Sequence, residues 1–378
     1  MGYSGVKGGM AAILAAEGLV RRKRAAAPWA SSRQIIESYR LAVDRIMGEA
    51  GLYDEAIAAD AFRQAEGDLL EAAHLVRAYR SSLTRLAVSE PADPDEMTVL
   101  RRIVPASRTP EGPQLLGRTT DYTARVLERP DGPPARAESP AQESPVQGTG
   151  VREPQDDPHP AERHPRRFYE QLIKADLAVE HAEETGDPDP FDVSRGAARP
   201  PAPRSAVLAS MARAETGALV ALWYRSIRGP DGAFHEVTLG EVRHGWLPVR
   251  VVHPLTGNPV RIGDIRATEA EAIEDLDGPS EDRTRLDVGY GLCFGHNERK
   301  AIAMANLDIA CRRADGDELE QLLLLTTDGL DSGGFLEHLK LPHYVTFRSI
   351  TDRKLASRAV LANGEGGSTE SGGESGGR

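Results

Sequence analysis

Apolar positions recur every three or four residues through most of the first ninety, and the spacing predicts four helices. The first runs from Met10 through an alanine-rich stretch to the basic run Arg21-Arg-Lys-Arg24, which suits the C-terminal end of a helix dipole. Ser31 and Ser32 can cap a second, carrying Ile35, Ile36, Tyr39, Val43 and Ile46 and stopped at Gly48 or Gly51. A third covers about 54–65. Asp68 and Glu71 form a capping-box pattern opening a fourth, with Leu69, Ala72, Val76, Tyr79, Leu83 and Leu86 on one stripe.

Asp121–Leu127 resumes a periodic pattern, and then the pattern vanishes. Residues 129–167 hold nine of the 26 prolines and no Leu, Ile, Phe, Tyr, Trp or Met. Such a segment buries too little to offset its ordering entropy and is expected to be a disordered insertion. Phe168–Glu184 reads as an amphipathic helix, 186–204 as a connector, and Ser205–Arg225 as helical with a change near Gly217. From Phe234 to Ile265 the period becomes two. It predicts short strands at 236–239, 241–243, 247–252 and 260–262, with turns at Gly240, Gly245 and Thr256-Gly-Asn-Pro259. Leu322–Leu325 is a fully apolar run and a candidate central strand. The Gly/Ser/Glu-rich tail 363–378 is expected to be disordered.

These patterns give an α+β fold, a helical N-terminal part followed by a mixed, partly antiparallel β part. The implied domains are 1–128, mainly helical; the insertion 129–167; an α+β domain, 168–362; and the tail.

Composition narrows the function. A formal net charge of −12 argues against a dedicated nucleic-acid binder. Nine acidic residues against three arginines fall between Asp264 and Asp287, a stretch read as a solvated loop or exposed face. Two cysteines, Cys293 and Cys311, give no disulfide framework and fit a reducing compartment. No run approaches about 20 apolar residues, so no membrane span is expected, and neither is a signal peptide. A cytoplasmic protein is the expectation.

Three stretches could carry chemistry. His338 and His343 stand five apart with Pro342 just before the second. On one helix they would diverge, but the proline is expected to end a helix near Lys340 and let His343 open an extended run. Two neutral imidazoles suit zinc or a similar divalent metal and make half a site, with Glu337, Asp328, Asp331 or a second chain supplying the rest. Spacing alone leaves open that they are simply two histidines in a connection. In the second stretch, Gly289-Tyr-Gly-Leu-Cys-Phe-Gly-His-Asn297 reads as a glycine-rich turn running into a helix capped by Asn297. Helix-start amides attract anions, and Glu298, Arg299 and Lys300 stand there. In the third, Lys7-Gly8-Gly9 precedes the first helix. Thr109–Gly117, with Gln114, is a further glycine-punctuated loop.

Several segments in order resemble one known family: Lys7-Gly-Gly, Leu41-Ala-Val-Asp-Arg45, Leu75-Val-Arg-Ala-Tyr-Arg-Ser-Ser-Leu83 running to Pro91, and Gln114-Leu-Leu-Gly117 with Asp121-Tyr-Thr123. Gly289-Tyr-Gly-Leu, Glu298-Arg-Lys-Ala-Ile-Ala-Met304 and His338-Leu-Lys-Leu-Pro-His-Tyr-Val345 complete the set. The chain resembles the PhnI family, the I subunit of the bacterial carbon–phosphorus lyase core complex, over most of 1–128 and 166–350. It departs in the Pro-rich insertion, the tail, and Glu111-Gly-Pro, where the family tends to have adjacent glycines.

The resemblance implies a purine nucleosidase subunit that, with sister subunits, displaces adenine from Mg-ATP by an alkylphosphonate, giving ribose 1-alkylphosphonate 5-triphosphate. Alone it implies hydrolysis of ATP or GTP at the glycosidic bond. Partners implied are the other core subunits, including a radical S-adenosylmethionine iron–sulfur lyase subunit. His338 and His343 correspond to the family's paired histidines, with a metal shared with that partner. For the phosphates, Lys7, Gly8, Gly9, Gln114, Arg299 and Lys300 are the candidates, with Mg²⁺ carried by the nucleotide. Glu298, with Asp44 behind it, is the candidate carboxylate for an oxocarbenium-like state. The alternatives are a non-catalytic scaffold lending metal ligands to the partner, or a stand-alone metal-dependent hydrolase.

Overall fold

The computed structural model describes residues 10–26, 30–119, 166–179, 190–228, 238–275, 284–313, 316–339 and 350–365. The chain divides into two compact units, one of Met1–Ala30 with Gly333–Arg378 and one of Ser31–Ser332. In the first, α1 (Met10–Ala26) places Lys23 and Arg24 in its last turn.

The second unit opens with a helical cluster. Ser31 caps α2 (Ser32–Ser38) through a reciprocal box with Gln34, as the sequence suggests. The expected single helix breaks at Tyr39 (φ −120°, ψ 35°), and α3 (Arg40–Ala50) continues to Gly51. Asp54 caps α4 (Glu55–Gln64), and Asp68 caps α5 (Leu69–Ser81) by accepting from the amides of Leu70 and Glu71. Ile35, Val43, Ile46, Met47, Ala58, Ala59, Ala72 and Val76 form its core. The stripe expected to reach Leu86 stops early. Ser81 and Ser82 turn their hydroxyls back onto the carbonyls of Ala78 and Tyr79, a local bond that competes with the helix. Leu86 is left 94% exposed, and at Glu90 the chain runs beside a later segment, its N–H donating to the carbonyl of Arg250.

Four antiparallel strands form one sheet in the order β1-β2-β3-β4: β1 (Thr98–Ile103), β2 (Thr238–Val252), β3 (Pro259–Asp275) and β4 (Leu286–Phe294). The helical segment and the sheet thus share one unit, because β1 comes from the first third of the chain. Three expectations are corrected here. Gly240 and Gly245 are not turns but lie inside β2; a Cβ at Gly245 would sit 2.2 Å from the carbonyl of Thr98, so the glycine lets β1 approach. The acidic stretch after Asp264 is a central strand as far as Asp275, with Glu269 and Glu271 buried. Gly289 and Gly291 are strand residues of β4, not a turn.

Between β1 and β2 come α6 (Phe168–Lys174), α7 (Arg204–Arg213) and α8 (Thr216–Ile227). The expected helix Phe168–Glu184 is cut to two turns, ending where Asp176 takes φ 56°. Beyond β4 come α9 (Glu298–Arg312), α10 (Asp317–Thr326), α11 (Gly329–Leu339) and, in the other unit, α12 (Ile350–Glu365). The apolar run Leu322–Leu325 is part of α10 rather than a strand. α9 is buried at Lys300, Ala301 and from Ala303 through Ala310, which explains its alanine content: a helix packed on most sides needs small, apolar residues.

The two faces of the sheet differ in chemistry. One packs Val242, Ala270, Ala272 and Cys293 against α9, where Met304, Leu307 and Ile309 meet them. Gly289 and Gly291 allow this contact, since a Cβ would lie 2.0 Å from the carbonyl of Ala305 and 2.3 Å from that of Ala301. The other face buries ions. Arg102 donates to Glu241 (2.6 Å), Arg243 to Glu269 (2.9 Å), and the first amides of α6 donate to Glu241 (2.7 Å) and Glu271 (2.9 Å). Burial, then the charges of Glu269 and Glu241, push the Glu271 carboxyl up to about 8. Among the described residues no helix is long and apolar enough to cross a membrane.

Candidate active site

The turn Gly295-His-Asn joins the end of β4 to the start of α9, and the polar side chains gather around it. Gly295 has φ +71°, and a Cβ there would lie 2.4 Å from the Cβ of Asp44. The chain therefore presses against α3, and Asp44 is fully buried. One Asp44 oxygen accepts from the backbone N–H of His296 (3.0 Å) and the other from Arg266 (2.9 Å). Arg266 also pairs with Glu55. Thr268 ties the turn to β3: its hydroxyl donates to the carbonyl of Gly295 (2.6 Å) and accepts from Asn297 N–H (3.1 Å). Asn297 caps α9 through Lys300 N–H, as expected from sequence, and also donates to Thr216 (3.1 Å).

His296 stacks on His244, ring centroids 4.3 Å apart and 13° from parallel. His244 lies 3.0 Å from the carbonyl of Ala267 through Nδ1, so that nitrogen carries the proton. Burial, then the neighbouring His296, push the His244 imidazole down to about 3 and keep it neutral. Arg40 approaches His296 Nδ1 at 2.9 Å. A guanidinium can only donate, so this nitrogen accepts and the ring carries its proton on Nε2. That nitrogen stands 3.6 Å from a carboxylate oxygen of Glu298.

Glu298 opens α9 and keeps 17% of its side chain exposed. Arg101 grips it through two guanidinium nitrogens and also donates to the carbonyl of Leu116 (2.6 Å). Burial would raise this carboxyl, but the polar contacts of His296 and Arg101 and the charge of Arg101 hold it at about 2. Glu298 is thus an ionised carboxylate at the rim of a cationic cluster. Arg40 is a quarter exposed; burial lowers its guanidinium, opposed by Asp44 and reinforced by Arg266 and Arg118.

The sequence candidates fall in different places. Glu298 and Asp44 are brought together through His296. Gln114 ties its loop to β1, its side-chain oxygen accepting from Val104 N–H (3.1 Å), while Arg102 holds the departed Glu111-Gly-Pro segment by the carbonyls of Glu111 (2.8 Å) and Pro113 (3.2 Å). Arg299 is exposed at the start of α9. Lys300 is 1% exposed and its amine donates to the carbonyl of Ala214 (2.8 Å), so it faces backbone rather than solvent. Lys7, Gly8 and Gly9 lie outside the described residues. His338 falls in the last turn of α11, whose helix ends at Leu339 ahead of Pro342; its side chain and all of His343 lie outside them. Asp328 is engaged by Arg77 (2.7 and 2.9 Å). Among the described residues no group of three or more His, Cys, Asp or Glu is arranged to hold a metal.

Sequence reasoning missed Arg40, Arg101, His244, Arg266 and His296. Their elements meet only in three dimensions, and no spacing flags them. A cleft lined by Arg225, Ala310, Arg313, Leu319 and Leu322 lies at the opposite end of α9 and shares none of these residues.

A family model described as "Bacterial phosphonate metabolism protein (PhnI)" matches residues 2–359. The chain belongs to the PhnI family. The PhnI subunit of α-D-ribose 1-methylphosphonate 5-triphosphate synthase from Rhizobium meliloti is 37% identical over 97% of this chain and 99% of that protein. Its counterpart of the same name from Escherichia coli is also 37% identical, over 92% and 96%. A putative C-P lyase subunit protein, HtxH of Stutzerimonas stutzeri, is 39% identical over 93% and 95%. PhnI membership places the chain in phosphonate metabolism, and it bears out the resemblance drawn from its motifs.

Proposed function

We propose that this chain is the nucleotide-handling subunit of a carbon–phosphorus lyase assembly and exchanges the purine of a nucleoside triphosphate for an alkylphosphonate. The C1′–N9 bond breaks with its electron pair leaving on the base, which takes a proton from solvent. A phosphonate oxygen forms the new bond to C1′, giving ribose 1-alkylphosphonate 5-triphosphate; without the sister subunits, water takes its place. The observation that carries this reading is Glu298, an ionised, part-exposed carboxylate gripped by Arg101 at a helix start, with Arg40 at the other ring nitrogen of the neighbouring His296. A fixed negative charge stabilises the oxocarbenium-like state. Arg40, Arg118 and Arg299 supply charge for a Mg-bound triphosphate.

His338 and His343 hold a divalent metal, zinc or similar, together with ligands from a radical S-adenosylmethionine partner. They serve the later carbon–phosphorus cleavage rather than base release.

The purified chain incubated with Mg-ATP tests the first part, with products separated chromatographically. Adenine and ribose triphosphate are expected, and Glu298→Gln should lower their formation about 100-fold. Phosphate release without adenine, or full activity in Glu298→Gln, would overturn it. For the metal, H338A and H343A should reduce the zinc content of the assembled complex and spare adenine release.

A further inference from the structure

The cluster around Glu298 accounts for a sugar and its phosphates but leaves the base without a seat. Trp246 stands beside it. On β2, Trp246 is two residues from His244 and therefore on the same face of the strand, ~7 Å along it, a spacing on the scale of a nucleoside. Its partner across β3 is Arg266, whose guanidinium carbon lies 5.7 Å from the centre of the indole. Arg266 in turn holds Asp44, and Asp44 holds the backbone of His296. A continuous line of contacts therefore runs from the indole to the imidazole that faces Glu298.

Trp246 is only half-buried, although it sits in the second strand of a four-stranded sheet. Among the described residues it belongs to no apolar cluster, while its strand neighbours Val242 and Leu247 each do. A large flat ring kept out of the cores and next to a cationic cluster has the form of a stacking platform. Base-on-aromatic stacking tolerates any base because each has a π face, and an adjacent arginine adds cation–π attraction.

We propose that Trp246, backed by Arg266, is the base-stacking subsite for the purine nucleotide; this rests on the proposed function. The purine then lies over the indole and C1′ falls toward Glu298, with the triphosphate along Arg40 and Arg118. Trp246 sets affinity for the nucleoside part and leaves the phosphate part alone.

Calorimetry on the full chain tests this with two probes, Mg-ATP and Mg-tripolyphosphate. The wild type should bind both, ATP more tightly. Trp246→Ala should weaken ATP binding about ten- to thirtyfold and leave tripolyphosphate within about twofold, and Trp246→Phe should restore most of the loss. Unchanged tripolyphosphate affinity also shows that the variant is folded. If Trp246→Ala leaves ATP binding intact, the stacking subsite is wrong and the function stands. Equal loss of both probes would make the ring a prop for Arg266 and overturn the proposal. If the wild type binds neither probe, the nucleotide-handling function itself falls.

Discussion

The two faces of the sheet are built from the same four strands on opposite plans. Toward α9 the strands offer alanine, valine and glycine, and the helix returns alanine, methionine and leucine; dispersion and water release hold that face. Toward α6 they offer arginine and glutamate: Arg102 and Arg243 match Glu241 and Glu269, and Glu271 keeps its proton, because an unpaired buried charge is far more costly than a lost methyl group. Arg101 and Arg102 show how sharp the divide is. Adjacent in β1, they alternate across the pleat, so one reaches Glu298 in the candidate site and the other Glu241 in the ionic core. The apolar face tolerates approximation. The ion pairs of the other face tie β1 to β2 and β2 to β3.

The largest effect should come from breaking one ion pair. Arg243→Ala leaves Glu269 buried without its main partner and should cost about 3–5 kcal/mol in denaturant unfolding. Arg243→Met combined with Glu269→Leu should recover most of that loss; if it does not, pairing is not what the arginine supplies. On the apolar face, Gly291→Ala forces a methyl toward the carbonyl of Ala301 and should cost about 2–3 kcal/mol. A cost near zero would mean that α9 can slide away from the sheet.

A smaller, pH-dependent effect separates the faces again. The folded Glu271 carboxyl is raised to about 8 from an ordinary 4.5. The folded state therefore keeps a proton that the unfolded chain releases, and stability falls as pH rises between those values. Glu271→Gln removes this slope. Its melting temperature should match the wild type near pH 4.5 and exceed it by about 5 °C at pH 8.5; a wild type more stable at pH 8.5 would reverse the assignment. Leu86→Ser, on exposed chain outside both faces, should shift stability by less than about 0.5 kcal/mol.

Local signals were legible wherever a short-range bond decided the structure. Ser31, Asp54, Asp68 and Asn297 cap the helices whose starts they mark, because a cap needs only its own next turn. The strands were harder. β1 and β4 were not read as strands, and β3 was read only at 260–262, the rest of it hidden behind its charges. Glu269 and Glu271 look like solvent-facing residues until Arg243 and the first amides of α6 arrive from elsewhere in the chain. Leu322–Leu325 failed differently: four leucines satisfy either period, and their place in α10 was set by packing against α7, α8 and α9. In the site, Glu298 and Asp44 were found beside family motifs. The groups that hold Glu298 ionised are His296, two residues before it, and Arg101, which β1 brings from far along the chain.

The glycine between β4 and α9 offers an unusual experimental handle. Since a methyl group at residue 295 collides with the buried carboxylate of Asp44, Gly295→Ala should displace that group while leaving the molecule's net charge unaltered. Because that carboxylate holds both the His296 amide and Arg266, one added methyl would slacken the whole corner from within, at a residue that itself meets no substrate.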